Sequence, residues 1–142
     1  MKAVIDTNIL VSALKSNKGY SFELIERMFK GEFIPVISVP LVFEYEEQLK
    51  SHFVPDIYKE TEIEGFIDSI CDIAYRQKIY YLWRPILSDY EDDHVLEVAL
   101  SSGCNYIVTF NEKDFRLGEP LGITAIKPGD FIRILERSED FI

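Results

Sequence analysis

Apolar residues fall along this chain in short blocks of two alternating kinds. Ala3-Val4-Ile5 within 2–5, Phe33 to Ile37, Tyr106 to Thr109 and Gly122 to Ile126 are nearly unbroken runs, as expected of strands buried on both faces. Between them the apolar positions recur every three or four residues. Ile9, Leu10, Val11, Ala13 and Leu14 predict a helix over about 8–15, and Phe22, Ile25, Met28 and Phe29 predict a second that Gly31 ends. A third covers about 39–51, with Ser38 placed to cap it and Pro40 in its first turn. Ile63, Phe66, Ile67, Ile70, Cys71 and Ala74 form one stripe over 59–77, which leaves Glu62, Glu64 and Asp68 to solvent. Val95, Leu96, Ala99 and Leu100 mark the next helix, with Gly103 as its C-cap. Lys127-Pro128-Gly129-Asp130 opens a closing helix that carries Phe131, Ile132 and Leu135. Ile79 to Trp83 is short and aromatic, an edge strand or an extended connection that Pro85 ends.

Strands separated by helices need crossover connections, so the pattern predicts an α/β fold with a parallel sheet of four or five strands covered on both faces. With 142 residues, 47% of them hydrophobic, a single domain over 1–142 has a core that needs neither disulfide nor structural metal. Cys71 and Cys104 have no metal-ligand spacing and read as reduced core residues. No basic and apolar leader opens the chain and no run is long enough to span a bilayer, so the expectation is a cytoplasmic protein with no membrane association. The formal charge of −10 argues against a broad electrostatic grip on nucleic acid. That objection weakens where carboxylates gather cations, because a bound metal reverses the local sign.

Polar residues interrupt the apolar blocks at informative places. Asp6-Thr7-Asn8 follows the first strand, the edge of an open α/β sheet at which ligands bind. Glu44 lies about a turn and a half into its helix, on the face of Leu41 and Gln48. Asp92 and Asp93 run into the helix of Val95, and Asp114 follows the strand at 106–109. Each acid has an ordinary explanation: N-capping for Asp6 and Asp93, a solvated helix face for Glu44 and a loop charge for Asp114. Taken together, three or four converging carboxylates would repel one another unless a cation sat among them. Oxygen ligands without His or Cys suit Mg²⁺ or Mn²⁺, and phosphodiester hydrolysis is the chemistry such a site performs. The two histidines, His52 and His94, anchor no catalytic triad, and there is no Gly-rich phosphate loop.

Four motifs in this order, VIDTNILVSAL at 4–14, ISVPLVFEYEEQL at 37–49, DDHVLEVAL at 92–100 and YIVTFNEKDF at 106–115, resemble the PIN-domain family, in particular members that act as toxins of toxin–antitoxin systems. The resemblance implies a three-layer α/β/α sandwich with a central parallel sheet and an acidic pocket for Mg²⁺ or Mn²⁺. It further implies an endoribonuclease that cleaves single-stranded RNA, with an antitoxin protein as a partner and a homodimeric state. Carried onto this chain, the catalytic and metal-binding acids are Asp6, Glu44, Asp93 and Asp114. Thr7, Asn8, Asp92, Thr109 and Asn111 are supporting residues. Asn111 stands where many relatives carry an Asp, which leaves one or two metals as alternatives. Lys15, Lys18, Lys113 and Arg116 are placed to hold RNA phosphates or are scattered surface charges; Tyr80, Tyr81 and Trp83 could stack bases or pack. Two other functions stay open: a PIN-fold binding or regulatory protein with weak catalysis, and a receiver-like phosphoacceptor domain that also sets acids around Mg²⁺ at strand ends.

Overall fold

The computed structural model describes residues 1–51, 57–79 and 90–139, with the side chains of residues 90–93 and 139 outside that description. Its elements are β1 (Lys2–Ile5), α1 (Thr7–Lys15), α2 (Tyr20–Phe29), β2 (Ile34–Ile37), α3 (Val39–Ser51), α4 (Glu60–Ile73), β3 (Tyr75–Arg76), α5 (Tyr90–Ser102) and β4 (Tyr106–Val108). A 3₁₀ segment (Glu112–Leu121), β5 (Thr124–Ile126) and α6 (Pro128–Glu139) complete them. The five strands are all parallel and lie in the order β3-β2-β1-β4-β5, flanked by helices.

The order follows from burial. Ala3, Val4 and Ile5 of β1 are almost entirely hidden, as are Val36, Ile37, Ile107 and Val108, and only interior strands with both faces covered can place consecutive apolar residues this way. β1 is the central strand. The chain winds outward from it through β2 to β3, then returns to lay β4 on its other side, so the topological switch point falls between β1 and β4. A receiver-like domain would have the order 2-1-3-4-5, with its second strand at the edge, whereas here β3 pairs outside β2.

Local signals place most helix ends. Ser38 Oγ accepts from the Leu41 N–H at 3.3 Å and starts α3. Gly103 takes the left-handed conformation at φ +71° just past α5, where any other residue would be strained. Among the described residues the edge strand is β3, Tyr75–Arg76, paired with Val36 and Ile37; of the aromatic run at 79–83, expected as an edge strand or an extended connection, residues 80–83 lie outside the described residues. The helix expected over 59–77 ends earlier, at Ile73, and Ala74 shows why. It continues the helical stripe at three residues from Cys71 and four from Ile70, yet adopts an extended backbone (φ −82°, ψ 151°), because only an extended chain can pair with the open edge of β2. Tyr45 latches α3 to the sheet: its buried hydroxyl donates to the Ile5 carbonyl at 2.5 Å, and burial keeps its pKa well above the ordinary tyrosine value. Among the described residues no helix is long and apolar enough to cross a membrane.

Candidate metal centre at the sheet switch point

Asp6 follows β1, one residue past its last paired position, and Thr109 follows β4 in the same way. Two backbone bonds continue the sheet here, from Asp6 N–H to the Val108 carbonyl and from Thr109 N–H to the Ile126 carbonyl, both at 2.9 Å. The Asp6 side chain is therefore delivered to the crevice between β1 and β4. Its Oδ1 accepts from the Thr7 N–H at 2.9 Å, and its Oδ2 accepts from the Thr109 hydroxyl at 2.7 Å. Thr109 is fully buried, and its Oγ1 in turn accepts from the Asn111 N–H at 3.0 Å. Asp6 is itself the N-cap of α1. Capping and site placement are one geometry, and the Thr7 hydroxyl takes another task.

That task is to hold Glu44. The Thr7 hydroxyl donates to Glu44 Oε2 in a short bond, while Glu44 Oε1 lies 3.3 Å from Nε2 of His94. Glu44 is half-buried rather than on a solvated face. Its helix turns Leu41, Tyr45 and Leu49 into the core and leaves Val39 and Phe43 exposed on the opposite side, which aims Glu44 along the cavity. Burial pushes the Asp6 carboxyl above its ordinary pKa; the Thr109 bond opposes the shift and the negative charge of Glu44 adds to it. For Glu44 burial also acts upward, but the hydrogen bonds from His94 and Thr7 outweigh it and hold the carboxyl below its ordinary value.

The two acids open onto a cavity of about 620 Å³ lined by Asp6, Thr7, Asn8, Lys15, Glu44 and Asn111, with Val11, Ser12, Ser16 and Gln48 extending it along α1 and α3. Lys15 thus stands on its wall. Lys18 sits on the exposed loop after α1, and Lys113 and Arg116 line a separate depression of about 300 Å³ against Glu119 and Ala125. Asp114 is exposed in the first turn of the 3₁₀ segment, its N–H bonded to the Asn111 carbonyl at 3.0 Å, and it does not line the main cavity. Asp92 and Asp93 occupy the first turn of α5, and their side chains lie outside the described residues, as do Tyr80, Tyr81, Trp83 and His52. Among the described residues no three His, Cys, Asp or Glu side chains converge as a metal site. The pair that does meet suits a hard cation. Asp6 and Glu44 present carboxylate oxygens to one polar cavity, and their mutual repulsion is what a divalent ion relieves.

Two buried polar residues were not legible as such. His94 is 8% exposed and touches Glu44, fifty positions away in sequence; its only signal is that it directly follows the Asp92-Asp93 pair. Glu97 is 1% exposed, one turn beyond Asp93. Its signal is the run Val95-Leu96-Glu97-Val98-Ala99-Leu100, apolar on every side of the helix but one, as in a helix buried all round.

A family model described as a PIN domain matches residues 2–113. No curated protein matches the chain in sequence. Among solved structures, that of VapBC2 from Rickettsia felis bound to a DNA fragment from their promoter is similar in fold, with a TM-score of 0.61 at 14% identity, covering 89% of this chain and 98% of that one.

Proposed function

The chain belongs to the PIN-domain family, whose members are generally nucleases using divalent metal ions, and from that premise we propose that it is a metal-dependent endoribonuclease acting on single-stranded RNA. The observation that carries the reading is the meeting of Asp6 and Glu44 at the switch point, each oxygen of each carboxylate already held by a partner. A preformed pair of hard ligands has little to reorganise when a cation enters.

In this reading Asp6, Glu44 and Asp93 hold Mg²⁺ or Mn²⁺. An ion held by these residues would supply Lewis acidity toward the scissile phosphate and make a nearby water more acidic. Thr109 and Thr7 keep the ligands oriented. Asn111, on the cavity wall, supplies a neutral amide where many relatives carry a carboxylate, so the charge of the described set favours one tightly held cation rather than two. Asp114 acts through water at the rim. Lys15 holds a phosphate flanking the cut, with Lys18 beyond it on the loop, and Lys113 and Arg116 meet RNA only if the strand continues past the 3₁₀ segment. The fold shared with VapBC2 supports a toxin role with an antitoxin partner; a cytoplasmic homodimer belongs to the same proposal. Asn111 favours one second reading, a PIN-fold protein that binds RNA or a partner and cleaves weakly.

Calorimetry with Mn²⁺ and cleavage of a labelled single-stranded RNA separate the two. Wild type binds and cleaves, while Asp6→Asn and Asp93→Asn lose both. Metal binding without cleavage above the level of those variants transfers the protein to the binding reading, and no metal binding at all removes the nuclease.

A further inference from the structure

Glu44 and His94 belong to different helices, and their contact is the only hydrogen bond the His94 ring makes among the described residues. Nε2 lies 3.3 Å from Glu44 Oε1, whereas Nδ1 is buried with no partner among the described residues. A neutral imidazole has one N–H and one lone pair. A carboxylate accepts only, so the proton belongs on Nε2, and Nδ1 buries the lone pair, which is less costly than a buried N–H with no acceptor. Among the described residues the ring is thus committed to Glu44 alone. Its chain position adds a second consequence: His94 directly follows Asp93 in the first turns of α5. Anchoring the ring on α3 fixes where that helix begins relative to Glu44.

We infer that His94 is a positioning residue for the metal centre: it holds the Glu44 carboxylate from α5 while Thr7 holds it from α1. The inference rests on the metal-binding reading proposed above. A glutamate in mid-helix has several staggered rotamers open to it, and a carboxylate pinned on one oxygen can still swing about that bond. Two donors on the two oxygens, drawn from two other helices, leave one orientation. Partners of this kind beyond the ligands themselves commonly govern metal affinity.

The test uses Mn²⁺ calorimetry on the whole protein, without RNA. His94→Phe keeps the ring volume and removes the donor, and His94→Gln restores an N–H at a similar reach. The expected result is Mn²⁺ affinity about ten-fold weaker in His94→Phe and within about three-fold of wild type in His94→Gln, the range seen for partners that orient ligands. A metal-free readout accompanies it: the ring nitrogens in two-dimensional NMR should show the Nε2–H tautomer in wild type, and a predominant Nδ1–H tautomer overturns the assignment whatever the variants do. Equal Mn²⁺ affinity in His94→Phe and wild type overturns the inference and leaves the metal reading intact. If His94→Gln is as weak as His94→Phe, the ring acts by packing and the inference fails. If wild type itself takes up no Mn²⁺, the proposed function falls and the positioning role with it.

Discussion

Asp6 pays for its position in stability, and the sign of that effect can be worked out. Its native carboxyl titrates above the unfolded value of about 3.9, chiefly through burial. Its contribution therefore favours the fold below the unfolded pKa and is lost as pH rises through the raised native one. Glu44 runs the other way. With a native pKa below the unfolded value of about 4.3, because the bonds from His94 and Thr7 outweigh burial, it stabilises above that value and the contribution is lost as pH falls through the lowered native pKa. In EDTA at neutral pH, Asp6→Asn should thus melt higher than wild type and Glu44→Gln lower, although both variants remove a proposed metal ligand. Thermal unfolding checks this. A lower midpoint for Asp6→Asn would mean that the bonds from Thr7 and Thr109 exceed the cost of burying and crowding the charge.

Between elements, the contacts that matter are those fixing the ends of β1 and β4. Tyr45 ties α3 to the last residue of β1, and Thr109 ties the end of β4 to Asp6. The 3₁₀ segment that follows must then press onto α5, and Gly118 makes this possible. A Cβ at that position would stand 2.8 Å from Leu96 Cδ1 and 3.0 Å from Ile123 Cβ. The leucine tip can turn aside, but the isoleucine Cβ is fixed to its backbone. Gly118→Ala should therefore destabilise the fold by about 1–3 kcal/mol, as overpacking does, measured by urea denaturation. Its effect on Mn²⁺ affinity should be small, because Asp6 and Glu44 are held by other elements. A large loss of affinity would show that the 3₁₀ segment takes part in shaping the metal centre.

For the whole molecule, a charge of −10 and a cavity wall carrying Lys15 would, under the proposed function, make a bound metal the main attraction for a phosphodiester. Two outcomes follow. Mn²⁺ at roughly one hundred times its dissociation constant should stabilise wild type by about 2.7 kcal/mol, seen as a raised melting temperature that Asp6→Asn lacks. RNA binding, measured with Ca²⁺ in place of the catalytic ion, should fall only shallowly with salt, and Lys15→Ala should reduce the log–log slope by about one. A steep slope in wild type would mean that the strand also runs across Lys113 and Arg116, whose depression is separate from the main cavity.

The sequence alone determined what local physics controls. Period and run length placed four of the five strands and the helices between them, Ser38 marked the start of α3, and the polar interruption at Asp6 marked the sheet edge. It also supplied the list of acids, because carboxylates at strand ends and in first helical turns are visible as spacing. Tertiary structure decided which of those acids meet. Glu44 had an equally good life on a solvated helix face until the α3 packing of Leu41, Tyr45 and Leu49 turned it inward, and Asp114 shares the motif of Asn111 yet faces solvent while Asn111 lines the cavity. The short β3 at Tyr75–Arg76 exists because β2 offers an open edge, which no local pattern announces. His94 and Glu44 are fifty residues apart, and a hydrogen bond between two helices leaves no periodicity in either.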